Sequence, residues 1–60
     1  MKIKETIQKE INRLTDLYNA QKKSFDISYG AGDIDAMISD LEEMRQTYTL
    51  IVAFEWVLKE

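Results

Sequence analysis

The chain contains no cysteine, no histidine and no proline among its 60 residues. Each absence removes a class of chemistry. Without cysteine there are no disulfides and no thiolate metal sites, and thiol redox work is excluded. Without histidine the commonest transition-metal ligand and the commonest general base near neutral pH are both missing. With no proline, no repeat and no low-complexity tract, residues 1–60 read as a single small domain. Long apolar runs are lacking as well. The longest is Leu50 to Phe54, ended by Glu55, far short of the roughly 20 residues that a bilayer crossing needs. The opening MKIKETIQKEINRL alternates charge with isoleucine and carries no secretory-type apolar segment, so a cytoplasmic protein is expected.

Small size sets the next constraint. A chain this short buries only about 60% of the surface it exposes when unfolded, and such domains lean on disulfides, a metal or association with another chain. The first is impossible here and the second has few ligands to work with, so association is the expected support.

Along the first third, Ile3, Ile7, Ile11, Leu14 and Tyr18 recur at spacings of four, four, three and four, one stripe of an α-helix. Glu5 with Lys9 and Arg13 with Asp16 are candidate ion pairs on its wet face. Lys22 and Lys23 then fall where the negative end of a helix dipole favours cations. These features place a first helix over about residues 2–23. In SFDISYGAGD, Phe25, Ile27 and Tyr29 alternate with Asp26 and Ser28 before Gly30 and Gly32 break the pattern. The reading is an extended connector over about residues 24–32, whose three apolar side chains cap the helical core or meet a protein partner. Asp33 suits an N-cap and Asp35 the first turn of a second helix over about residues 33–59. Ile34, Met37, Leu41, Met44, Tyr48, Ile51 and Leu58 supply its a/d stripe, which Glu55 interrupts.

The tail YTLIVAFEWVLKE admits a second reading. Tyr48, Leu50, Val52, Phe54, Trp56 and Leu58 lie two apart, as on a strand. An α+β fold with a C-terminal strand from about Tyr48 to Leu58 is therefore the alternative to an all-α helical hairpin. Helix is preferred because no Gly, Pro, Asn or Asp is present to make the corner.

With the bend near residue 28, the tail would lie beside Met1, Ile3 and Ile7, too few partners for a segment apolar on nearly every side. The expectation is a second copy of the chain, two hairpins dimerising into a four-helix bundle, with Tyr48, Ile51, Val52, Phe54, Trp56 and Leu58 as the self-association surface. Phe25, Ile27 and Tyr29 are then the candidate contacts for a different protein.

Charge agrees with a protein-binding role. Residues 1–24 carry six basic and three acidic side chains, residues 25–60 two basic and eight acidic, and the total is −3. Opposite halves attract. A net acidic chain is a poor binder of nucleic acid, although Lys2, Lys4 and Lys9 form a small basic patch. No catalytic, cofactor or metal motif is present. GAGD lacks the third glycine of a dinucleotide loop and carries Asp33 and Asp35 where a phosphate would sit. An EF-hand begun at Asp26 would need an oxygen ligand where Gly30 stands and a glutamate where Met37 stands. Serines and threonines have no histidine to activate them. The sequence thus reads as a non-enzymatic interaction module that works as a self-associating adaptor or regulator. The alternative is an inhibitor or antitoxin-like protein that blocks one target through its tail or connector.

Overall fold

A computed structural model describes residues 2–59, the side chain of Lys2 apart; Met1, considered above as a tail partner, lies outside them. Among the described residues two helices make up the fold, α1 (Lys2–Ala31) and α2 (Ile34–Lys59). They pack against each other as an antiparallel hairpin 47 Å long and 14 by 11 Å across. The tail is helical, and among the described residues there is no strand.

The expected connector over residues 24–32 is corrected by this structure, since α1 runs on through it to Ala31. Phe25, Ile27 and Tyr29 do alternate, but the strand periodicity loses to tertiary anchoring. The Ser24 and Ser28 hydroxyls each donate to Asp40 Oδ2 on α2, both at 3.1 Å. Phe25, between them, is half-buried. Ser28 has one hydroxyl proton and a second acceptor within reach, the Ser24 carbonyl at 3.0 Å. These contacts hold the last two turns of α1 helical despite Gly30, which in a helix interior costs about 1 kcal/mol relative to alanine. Lys22 and Lys23 consequently lie in mid-helix, and the last turn of α1 holds no basic residue.

The reversal takes two residues. Gly32 has φ of 71°, and it is the glycine whose left-handed backbone the turn requires. Its N–H donates to the Tyr29 carbonyl at 3.2 Å, and the Asp33 N–H donates to the Ser28 carbonyl at 3.0 Å. This pair of bonds is a Schellman cap, which satisfies carbonyls that the end of α1 would otherwise leave open. Asp33 then caps α2: its Oδ1 accepts from the Ala36 N–H at 3.1 Å, and its carbonyl accepts from the Met37 N–H at 3.0 Å.

Each helix turns one seven-residue repeat inward. On α1 the residues withdrawn from water are Ile7, Ile11, Leu14, Tyr18, Gln21, Phe25 and Ser28, with Glu10 at the margin. On α2 they are Met37, Asp40, Met44, Thr47, Ile51, Phe54 and Leu58, with Ala36 at the margin. Spacings alternate between three and four in both, the period of a coiled-coil seam. Leu14, at 3% exposure, is the most deeply buried side chain among them. Ile3 was expected on this stripe, but it stands one position off the repeat and is exposed.

The seam of α2 is also rotated from the expected one. Asp40, Thr47 and Phe54 face α1, where Leu41, Tyr48 and Glu55 were expected. The bend lies near residue 32 instead of 28, so the tail meets the middle turns of α1. Ile11 and Leu58 line one surface depression together with Gln8, Glu55 and Lys59. Ile51, Phe54 and Leu58 therefore find cover within the chain. Polar seam residues are accommodated locally: the Thr47 hydroxyl donates to the Glu43 carbonyl at 3.0 Å. Gln21 Oε1 is shielded from water and finds no donor among the described residues. Arg13 pairs with Glu10 in preference to the expected Asp16.

The two glycines should respond oppositely to alanine. Nothing lies within 4 Å of a Cβ added at either, so backbone conformation alone decides. Gly30→Ala should stabilise the hairpin by about 0.5 to 1 kcal/mol, whereas Gly32→Ala should destabilise it by about 1 kcal/mol or more. Urea unfolding of both variants checks this, and shifts of the same sign would refute the cap.

Candidate functional site

The inward repeat does not use up the apolar residues of α2. One position further round the helix runs a second seven-residue repeat: Ile34, Ile38, Leu41, Arg45, Tyr48, Val52 and Glu55, again spaced four and three. All five of its apolar members are exposed, Tyr48 at 57%. Arg45 is the only charged residue between Ile34 and Val52 on this line. Among the described residues its guanidinium has no ion-pair partner, the one pair being Arg13 with Glu10.

Tyr18 at the edge of the inner seam leads into this outer face. Its ring and that of Tyr48 lie 6.1 Å apart between centroids, tilted by 46°, within the separation of interacting aromatic pairs. The two rings, with Leu41, Met44 and Arg45, line a shallow depression. On the α1 side the neighbouring positions are Gln8, Thr15, Lys22 and Tyr29, only the last of them apolar, so most of the apolar face belongs to α2.

Overall dimensions show how much surface is left over. A mass of 7.0 kDa corresponds to an accessible area of roughly 4,000 Å² in a compact monomer, and the hairpin exposes 4967 Å². Its radius of gyration is 14.0 Å, against about 10 Å for a compact 60-residue domain and about 14 Å for one of twice that length.

The residues expected to mediate self-association fall on two sides of α2. Ile51, Phe54 and Leu58 lie on the seam with α1; Tyr48 and Val52 lie on the outer stripe. Trp56, 66% exposed, belongs to neither repeat and lies one turn beyond Val52. The expected partner-binding trio is similarly divided. Phe25 belongs to the seam, while Ile27 and Tyr29 are 74% and 70% exposed. The Phe25 and Tyr29 rings are 6.5 Å apart on consecutive turns. Ile34, Ile38 and Leu41 were not singled out as an outward surface by sequence reasoning. The signal was present as two interleaved repeats, which the single expected stripe had merged.

Chemistry is sparse on this scaffold. Among the described residues no three acidic side chains gather as metal ligands would. Glu10 is the carboxylate held below its ordinary range, by the hydrogen bond from Arg13 first, with burial opposing and the Arg13 charge assisting. Arg13 is raised in turn by that hydrogen bond and by the Glu10 charge. Both groups are solvent-facing members of one helical turn. No helix is long and apolar enough to cross a membrane among the described residues. The chain matches no protein-family profile, no curated protein and no solved structure.

The division of the aromatic trio is open to test by unfolding. Phe25→Ser should cost about 2 kcal/mol, because it empties a seam position, whereas Ile27→Ser and Tyr29→Ser should each stay within about 0.5 kcal/mol. Equal losses at all three positions would mean that the end of the hairpin packs differently.

Proposed function

We propose that this protein is a small non-catalytic interaction module that self-associates through the outer stripe of α2 and acts as an adaptor or regulator. The observation that carries the reading is the line Ile34, Ile38, Leu41, Tyr48 and Val52, exposed along the length of one helix. Scattered apolar residues on a surface need no explanation, but five aligned on one helix face, with a single charge among them, mark an interaction site. The inner seam accounts for the fold, so this line is available for binding. Absence of histidine and cysteine from the sequence fits a role without covalent chemistry.

A second reading rests on Trp56. An exposed tryptophan is a frequent energetic anchor of heteromeric interfaces. An inhibitor-like module would use it against a single protein target from the terminal turns of α2.

Light scattering and thermal unfolding as a function of concentration test the first reading. A self-associating chain should melt about 5 °C or more higher at millimolar than at micromolar concentration, by mass action. Leu41→Asp should abolish that dependence while leaving the dilute melting temperature nearly unchanged, since the side chain lies outside the seam. A monomeric mass with a concentration-independent melting temperature would sink the self-association reading and leave the Trp56 surface to be probed with Trp56→Ala.

A further inference from the structure

We infer that the outer stripe is covered by the same stripe of a second copy, α2 against α2 in antiparallel, with Arg45 of each copy set beside Glu42 of the other. This inference rests on the self-association reading and specifies its geometry. Three observations carry it.

The first is area. The hairpin exposes 4967 Å², roughly 900 Å² beyond a compact monomer of its mass. A stable interface of standard size withdraws about 800 Å² per partner. One further helix-length contact accounts for the surplus.

The second is the choice of occupant. Beside the stripe, α1 offers Gln8, Thr15, Lys22 and, at its end, Tyr29, so an α1 helix of a second copy would bring mostly polar side chains to an apolar line. Only α2 carries a matching apolar repeat on that side. An isologous contact uses the same patch twice, and of its two orientations the parallel one would set Arg45 against Arg45, so the antiparallel one is favoured.

The third is register. In an antiparallel seam each a position meets a d position of the partner. Pairing Ile38 with Tyr48 sets Ile34 against Val52 and Leu41 against Arg45. The overlap then begins at the first residue of α2 and ends at the last apolar residue of the stripe. Sliding one heptad either way sets Ile38 against Glu55, or leaves Tyr48 and Val52 beyond the partner's α2. In the favoured register Arg45 lies across from Leu41 with Glu42 next to it, twice in the dimer. Arg45 is the charge that interrupts the stripe and lacks an ion-pair partner within the chain among the described residues. Its aliphatic stem covers Leu41 while its guanidinium reaches the carboxylate at the rim.

Charge exchange tests the pairing. Arg45→Glu and Glu42→Arg each place like charges together at two symmetric points, and each should raise the dimer dissociation constant about tenfold or more. Combining both substitutions in one chain should restore it to within about threefold. Mixing the two single variants in equal amounts should drive heterodimers well above the statistical half, because every cross-pair is then complementary. Both positions are exposed, and circular dichroism of each variant controls for the monomer fold. As an independent measurement, the cysteine-free background allows Ile38→Cys and Tyr48→Cys chains to be mixed and oxidised. The mixed 38–48 disulfide should form in preference to either homodisulfide. If the natural chain stays monomeric at millimolar concentration, the self-association reading and this geometry both fail. If it dimerises but tolerates both single substitutions and forms homodisulfides preferentially, self-association stands and the proposed register is wrong.

Discussion

The reversal at Gly32 and Asp33 determines which residue of α1 meets which residue of α2, and through that pairing the rest of the molecule. A Schellman cap has a fixed number of residues, so ending α1 at Ala31 and starting α2 at Ile34 leaves no slack in the register. One residue more or less would turn α2 by about 100° and present a different line of side chains to α1. With the turn as it is, Asp40 comes within hydrogen-bonding distance of Ser24 and Ser28. Ile51, Phe54 and Leu58 come to the middle and start of α1. Polar contacts near the turn and apolar ones further along the hairpin thus reinforce the same alignment.

That alignment leaves polarity oddly distributed. Gln21, Ser28, Asp40 and Thr47 lie on the inner repeat, while Ile34, Ile38, Leu41, Tyr48 and Val52 remain outside. Each polar seam residue dilutes a core that is already thin for a chain of this length. Polar groups in a seam restrict register at some expense of stability, as in coiled coils where one buried amide excludes alternative alignments. The same sequence therefore gains a defined hairpin and keeps apolar surface in reserve.

Helical periodicity at Ile7, Ile11, Leu14 and Tyr18 is strong enough that α1 could be located from spacing alone, and Asp33 announced the start of α2 by its capping chemistry. The end of α1 was less legible. Phe25, Ile27 and Tyr29 satisfy a period of two and also fit a helix in which only the first faces inward, and local propensity cannot separate the two. The deciding contacts, from Ser24 and Ser28 to Asp40, join residues 16 and 12 apart in sequence. The inner face of α2 was hidden for a related reason. Met37, Met44 and Ile51 belong to the inner repeat, and Ile34, Leu41 and Tyr48 to the outer one. A single stripe drawn through both looks like one good coiled-coil seam. Aspartate and threonine at Asp40 and Thr47 argued against the inner line on composition, and only the position of the turn selects it. Trp56, prominent in the sequence, is placed by the same rotation on neither repeat.

An antiparallel hairpin brings both ends of its described chain to one tip and the turn to the other. Tension applied across those ends would load the seam in unzipping, opening one layer at a time from the Leu58 end towards Gly32, and not in shear, where all layers resist together. The mechanical profile is therefore graded: the apolar layers around Ile11, Leu14 and Phe54 yield first, and the hydroxyl–carboxylate clasp of Ser24, Ser28 and Asp40 yields last.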